Sequence, residues 1–559
     1  MRLFRLLSVL LLLSCDPLEK SVGFIPTANP TPSKPAQLIV RNATIYTADK
    51  ARSIAAAMAI RGGRIVFVGT EAGVEAYIGG DTEIVDLNGK LVLPGFFQRA
   101  KIRGAASRIN LFSGGSIEDY RLAVARYIRE NPQQQVIVGD GWNLQTFSAE
   151  PPHKGILDQI NDLIPIILFS SDRNNIWTNS EGLAAAGINN DSVNPPNGFI
   201  EKNEHGIATG WLWGPGAVTL IEKLIPQDIN GDYRKDLLSM QDLAVSNGVT
   251  SLYDSVVVLK DEEGQKDYFD QISEIEPMGF RVLASMAVST DFADRDFSSL
   301  QQKVSQIAID DFRLTSISYI GWLPENLRVW ITTEPISRTS GSIKEVINLA
   351  QRANAHQFPI QILVSGEEET DKALNILEKL EGGDTKIRNA IVNASLDKES
   401  TLDQLSQMHC AVFMQPKNIF LLYGGREGST EGRSLKGGEK YIPMSVSLLS
   451  SDPSQIRGMV DPMAVIYRGL NLGISIDDLV EAFTINAAYS GGLEKETGSI
   501  EKGEWADFIV LDRNIFNFSK DQVDEAKVIK TFYKGRLVFD RKYFRNSGSE
   551  PRSIQLDTF

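Results

Sequence analysis

The chain of 559 residues carries four histidines, two cysteines and a formal net charge of −14. Its length points to one large domain with an accessory domain, or to several smaller ones, and 42% hydrophobic with 23% charged residues excludes wholesale disorder. A pI near 5.0 argues against a nucleic-acid partner, which needs a basic face, and two cysteines allow at most one disulfide and no thiolate zinc cluster.

Arg2 and Arg5 precede an apolar run over 6–13 that is too short to span a bilayer, the pattern of a secretory signal over 1–14. The run ends Leu12-Leu13-Ser14-Cys15, which resembles the bacterial lipobox. The resemblance implies cleavage before Cys15, a diacylglyceryl thioether on its sulfur, and a body anchored in the bacterial cell envelope with the membrane as its partner. Two or three acyl chains hold firmly, because each buried methylene contributes about 0.8 kcal/mol. Residues 15–36 contain Pro17, Pro26, Pro30, Pro32 and Pro35 and read as an extended tether. No later stretch reaches ~18 uninterrupted apolar residues.

From Gln37 the pattern turns to short β runs. Ala56-Met58-Ile60 alternates up to Arg61-Gly62-Gly63, and Arg64-Ile65-Val66-Phe67-Val68-Gly69 leaves it, which predicts a hairpin in a small antiparallel sheet. Residues 83–87 and 91–93, split by Asn88-Gly89, extend it. The C-terminal end has the same texture at 508–511, 528–533 and 535–539. Two β-rich ends around a long middle predict one composite β-sandwich from 37–95 and 491–545. The middle alternates strand-like and helix-like segments. Helices are expected over 120–130, 234–247, 343–353, 370–381 and 476–487. Strands are expected over 135–138, 164–169, 249–253, 281–287, 360–364, 411–413 and 446–449. Repeated β-then-α over 96–490 predicts an α/β fold with a parallel, TIM-like (β/α)8 barrel favoured.

Several phrases occur in a fixed order. They are Leu93-Pro94-Gly95-Phe96, Gly139-Asp140-Gly141-Trp142, Thr178-Asn179-Ser180, Gly248-Val249-Thr250-Ser251, Gln415-Pro416, Ser450-Ser451-Asp452, Thr484-Ile485-Asn486-Ala487-Ala488 and Gly503-Glu504-Trp505-Ala506-Asp507-Phe508. Together they resemble the amidohydrolase superfamily, specifically the amidohydrolase family 3 group of metal-dependent hydrolases, over roughly 40–540. The resemblance implies a barrel, a sandwich made from both chain ends, and an insertion about 105–230 after the first barrel strand. It also implies a divalent metal whose bound water is acidified to a pKa of about 7.

The metal-binding positions of the resembled family are not filled with ligands here. Its first-strand His-x-His falls on Ala100 and Ile102, and the preceding acid on Gln98. Its Asp-Gly-His becomes Asp172-Arg173-Asn174, and its bridging lysine maps near Ser316. The fifth-strand histidine falls on Leu363, and the sixth-strand Glu-His on Val392-Asn393. The eighth-strand aspartate, a metal ligand and proton shuttle in the family, survives as a vestige in Asp452. His153, His205, His356 and His409 lie away from these positions and share no chelating spacing. Glu367, Glu368, Glu369 and Asp371 could hold a hard cation but suit a helix start better. Cys410 reads as buried packing.

The expectation is therefore a lipid-anchored pseudo-hydrolase without metal or other cofactor, serving as a module for a small-molecule or protein ligand. Its candidate pocket residues are Trp142, Asp172, Asn174, Trp177, Asn179, Asp254 and Asn393. One alternative is an active hydrolase of non-peptide C–N bonds (amide, formamide or ureide) working around Asp452, for which zinc would be the cofactor. Another is a structural envelope lipoprotein whose barrel mouth is plugged by Phe97, Arg99 and Lys101.

Overall fold

The structure, a computed structural model, describes residues 34–100, 102, 108–111, 116–147, 151–170, 175–222, 224–225, 233–257, 268–272, 278–306, 311–323, 341–380, 387–395, 398–414, 444–446, 462–471, 474–517, 523 and 525–544. Near the start of that span, Ala57–Arg61 and Arg64–Gly69 form the expected hairpin. Gly62 and Gly63 turn it at φ 60 and 73, in the left-handed region that glycine enters without a Cβ clash. The rest of this sheet departs from the antiparallel expectation. Leu38–Arg41 pairs antiparallel with Ala57–Arg61 on one side but parallel with Glu83–Asp86 on the other. Asn88 and Gly89, at φ 50 and 76, then carry the chain out of the sheet. As a result Leu91–Pro94 joins a second sheet, between Thr44–Tyr46 and Phe508–Leu511. That six-stranded sheet also takes Val528–Tyr533 and Arg536–Asp540 from the far end of the chain. Val40, Met58, Val92, Phe508 and Phe532 share one apolar cluster drawn from both sheets.

Eight parallel strands follow one another in chain order. They are β1 (Phe96–Ala100), β2 (Val249–Val257), β3 (Arg281–Ala287), β4 (Phe312–Tyr319), β5 (Ile360–Gly366), β6 (Ala390–Ala394), β7 (Ala411–Met414) and β8 (Met444–Val446). β4 reads Phe-Arg-Leu-Thr-Ser-Ile-Ser-Tyr; its polar alternation hides it from a search for apolar runs. Among the described residues, helices lie in each connection from β1 to β7, as parallel pairing requires. Ile343–Ala355 is typical: Ser342 and Glu345 close a capping box at its start, and Val346, Leu349, Ala350 and Ala353 form its buried stripe. The helix expected over 476–487 breaks at Thr484 into Ile476–Phe483 and Ile485–Ser490. Ile476–Phe483 lies against both β1 and β8, with the Phe483 ring on Phe96. The first and last strands thus meet a common helix, in a TIM-barrel-like arrangement.

Alternation along the strands separates two apolar layers. Phe97, Tyr253, Leu283, Leu363, Val392 and Phe413 form one cluster within the parallel sheet. Leu252, Val282, Ile362, Ile391 and Val412 belong to the larger cluster that includes the helices. Between β1 and β2 the chain builds a separate six-stranded sheet that runs from Ile109–Asn110 through Ile137–Trp142, Ile166–Ser170 and Asn175–Thr178 to Ala208–Trp213 and Phe199–Lys202.

Candidate functional site

Barrels of this kind carry their chemistry at the carboxyl ends of the strands. At the end of β1, Ala100 is 4% exposed, and Ile102 beyond it has no exposed surface. Both belong to the large apolar cluster. Asp254 on β2 stands level with Ala100 and is buried. Its Oδ2 accepts a hydrogen bond of 2.6 Å from the Tyr233 hydroxyl, and its Oδ1 one of 3.4 Å from the Ile102 amide. Burial, and then the Asp254 charge, push the Tyr233 hydroxyl well above the ordinary tyrosine range, so Tyr233 remains a proton donor to Asp254. Tyr233 opens the helix Tyr233–Ser246. It has no signal in the sequence, because its role depends on a contact with a residue 21 positions away.

Arg99 on β1 is completely buried, with its guanidinium 4.8 Å from the centroid of the Phe413 ring. Burial pulls its pKa down to about 10, against the nearby Tyr253 and Asp254, so it remains a cation at neutral pH. Phe97 is buried in the same interior; Lys101 lies outside the described residues. Ser316 is three residues short of the end of β4, where its Oγ accepts from Gln361 Nε2 at 2.8 Å. It is buried in mid-strand and pairs with Ser285 on β3. Leu363 is likewise mid-strand in β5 and buried. Asn393, near the end of β6, is 7% exposed and sits at φ 67. Its Oδ1 has no hydrogen-bond donor among the described residues.

These residues do not fit the divalent metal that such folds hold. Zinc needs three or four nitrogen, sulfur or oxygen ligands at about 2.0–2.3 Å. Ala100, Ile102 and Leu363 have no donor atom, and Asn393 offers a single amide. Among the described residues no group of three or more His, Cys, Asp or Glu side chains converges to hold an ion. The histidines have other tasks. His153 Nδ1 accepts from Gly155 N at 3.1 Å, capping Lys154–Asp158, and His356 stacks on Phe297 at 5.3 Å. His205 and His409 are exposed. Glu367, Glu368 and Glu369 form the first turn of the helix Glu367–Leu380, where acids complement the positive end of the helix dipole. Cys410 is buried.

Three of the candidate pocket residues belong instead to the core of the inserted sheet. Trp142 and Trp177 are fully buried around Phe147, in edge-to-face contacts at 5.3 and 5.0 Å. Their indole N–H groups donate to Leu168 O and His153 O at 2.8 and 3.0 Å. Neither ring leaves a face for a ligand. Asn179 is buried and fully engaged. Its Oδ1 accepts from Ile166 N and Gly182 N, and its Nδ2 donates to Asn161 O and Ile164 O. It caps a helix and ties three segments together. Of the remaining candidates, Asn393 is next to the last residue of β6, and Asp254 stands in register with Ala100, the last residue of β1. Cys15, Asp172, Asn174 and Asp452 lie outside the described residues.

Comparison with known proteins matches this arrangement. The family model described as Amidohydrolase family fits residues 83–416 and 449–539. The chain is 25% identical over 555 residues to Protein LONG AFTER FAR-RED 3 of Arabidopsis thaliana, covering 90% of this chain and 92% of that protein. It is 24% identical over 579 residues to the N-substituted formamide deformylase of Arthrobacter pascens, covering 90% and 98%. In fold it resembles an uncharacterized metal-dependent hydrolase of Pyrococcus horikoshii, with a TM-score of 0.56 at 18% identity over 87% of this chain and 99% of that one. With the match running from the first end sheet through the parallel strands to the last, the chain belongs to the amidohydrolase family.

Proposed function

We propose that this chain is a metal-free amidohydrolase-type barrel that binds a small-molecule or protein ligand at its strand carboxyl ends without hydrolysing it. One observation carries the reading. Ala100, Ile102 and Leu363, at three positions where the resembled family places histidine ligands, are aliphatic and buried in apolar clusters. Without a metal to acidify water, a lone carboxylate such as Asp452 has no activated nucleophile to deprotonate. The test is elemental mass spectrometry of protein purified without chelator, together with amine release from N-benzylformamide. Far less than one equivalent of zinc and no release are expected; one tightly held zinc per chain overturns the reading.

A second reading is a hydrolase of amide, formamide or ureide C–N bonds. It is favoured by the near-full-length likeness to a protein named as an N-substituted formamide deformylase. Amine release that Asp452→Ala abolishes selects it. In either case we take Cys15 as the lipidation site that tethers the body to the bacterial cell envelope, and the two end sheets as one composite β-sandwich. The lipobox supports the first point and the shared apolar cluster the second. Loss of labelled palmitate incorporation in Cys15→Ser is the expected result; unchanged labelling removes the anchor.

A further inference from the structure

The sheet inserted between β1 and β2 ends in the edge strand Phe199–Lys202, paired antiparallel with Ala208–Trp213. Phe199 and Trp213 stand opposite each other in that register and stack, with ring centroids 4.5 Å apart and planes 6° from parallel. Both rings are open to solvent, Phe199 at 45% and Trp213 at 36% exposure. Their strand neighbours Ile200 and Leu212 are buried in the apolar cluster of this sheet, so the stacked pair stands on its outer face. Trp213 covers one face of the Phe199 ring. Phe199 also lines a cleft of about 470 Å³ together with Asp191, Val193, Asn194 and Glu201, and Val193 there is 84% exposed. The cleft is held open by fixed contacts along the free edge of the strand. Asn194 Oδ1 accepts from Ile200 N at 2.8 Å, and Lys202 Nζ donates to Asn190 O and Ser192 O at 2.7 and 2.8 Å.

Single exposed apolar residues are ordinary, but two stacked rings with a bare valine beside the same cleft make a contact surface. The charge around it selects what it contacts. Asp191 and Glu201 make their hydrogen bonds through the main chain, the Asp191 amide to Asn189 Oδ1 and the Glu201 carbonyl from Thr209 Oγ1. Neither carboxylate has a partner among the described residues. They outnumber the single ammonium of Lys202, which is already committed to two carbonyls. Ring faces attract cations, and carboxylates pair with them. A guanidinium meets both demands at once, because its plane stacks on a ring while its fork of N–H donors engages a carboxylate. An ammonium lacks the plane, a sugar lacks the charge, and a phosphate has the wrong sign. We propose that this cleft docks an arginine side chain presented by a basic partner protein, with the guanidinium against the Phe199–Trp213 stack and paired with the carboxylates of Asp191 and Glu201. The site belongs to the inserted sheet and is independent of the reading of the strand carboxyl ends.

The experiment is a ligand-observed NMR titration of the intact chain, which reads weak affinities, at physiological ionic strength. The probes are N-acetylarginine methylamide and its lysine and citrulline counterparts; citrulline keeps the plane and loses the charge. The wild type is expected to bind the arginine probe roughly three- to fivefold more tightly than the lysine probe, and the citrulline probe more weakly than either. The double variant Phe199→Leu, Trp213→Leu keeps apolar bulk at two exposed positions but removes both ring faces, and it equalises arginine and lysine. Glu201→Gln weakens both cations, whereas Glu204→Gln, in the neighbouring turn outside the cleft, leaves them unchanged. Four results overturn the proposal: no arginine preference in the wild type, citrulline binding as tightly as arginine, a preference that survives in the double variant, or equal effects of Glu201→Gln and Glu204→Gln. Sedimentation of the same samples covers the remaining occupant. Self-association that the double variant abolishes assigns the surface to a second copy of this chain and also overturns the proposal.

Discussion

Glu504 is 4% exposed, and its Oε1 accepts a hydrogen bond of 2.7 Å from Ser499 Oγ. Burial pushes its pKa from 4.5 up to about 7; the Ser499 hydrogen bond opposes the rise and the Glu501 charge adds to it. Between those values the folded chain holds a proton that the unfolded chain has released. The stability this carboxyl contributes is therefore complete below about pH 4.5 and is lost as pH rises through about 7. Within that window the loss is at most roughly 1.4 kcal/mol per pH unit. Glu504→Gln, which carries no ionisable group, is expected to flatten this decline and to be more stable than wild type at pH 8. Urea midpoints at pH 5 and pH 8 check it; parallel pH dependence in the two proteins refutes it. Glu504 lies in a phrase visible in the sequence, but burial of that one carboxyl is a property of the folded neighbourhood. The same holds for Asn393. Its identity is readable from the chain, whereas its φ and the lack of a donor to its Oδ1 among the described residues are not.

At the level of elements, local chemistry accounts for most of what forms. The stripe of Val346, Leu349, Ala350 and Ala353 specifies one helix, and Gly62-Gly63 specifies one hairpin. Where local preference is divided, neighbours decide. Thr484 donates to Val480 O at 2.8 Å within the first helix, yet its own backbone leaves the helical region and ends it. Asn88-Gly89 suggests a hairpin turn but sends its two flanking strands to different sheets. Asn179 is the clearest case of a residue whose task lies in the element. Its four hydrogen bonds hold the amide and carbonyl groups at the start of Ser180–Ala185 and on the approach to and start of Ile166–Ser170. Asn179→Ala leaves several buried backbone groups unpaired and is expected to cost about 2–4 kcal/mol. Thermal unfolding checks the loss. A binding defect without destabilisation would instead make Asn179 a ligand contact.

Over the whole molecule, a buried ion pair joins the last sheet to the parallel sheet. Arg281 at the start of β3 and Asp507 just before Phe508–Leu511 lie 2.6 Å apart, both buried. Arg281 Nη1 also donates to Ser251 Oγ, while Asp507 accepts from Thr497 Oγ1 and Lys534 N. Burial alone would lower the arginine pKa, but the Asp507 charge and hydrogen bond, together with Tyr533 and Asp311, more than offset it and raise it, so the guanidinium is held charged. Tyr533 and Lys534 reach Asp311, before β4, with bonds of 2.6 Å each. Removing one partner of such a pair strands the other. Asp507→Asn is expected to cost about 3–5 kcal/mol, seen as a lower denaturation midpoint; an unchanged midpoint would show that this junction does not contribute to stability. The Ala506-Asp507-Phe508 phrase was visible from the sequence, but its partner 226 positions earlier was not, because the pairing exists only once the last sheet meets the start of β3.

The sequence by itself determined the α/β class and the family resemblance, but it left out the strands at 96–100, 312–319 and 390–394, whose runs are short or polar. It also determined the lack of donor atoms at positions 100, 102 and 363, since the chemistry of a side chain does not change on folding. Tertiary structure decided which polar groups work and which merely support. It withdrew Trp142, Trp177 and Asn179 into a core, joined Tyr233 to Asp254, and left Asn393 buried with no donor to its Oδ1 among the described residues. Burial and hydrogen-bond satisfaction depend on which distant segments meet, and local sequence pattern has no term for that.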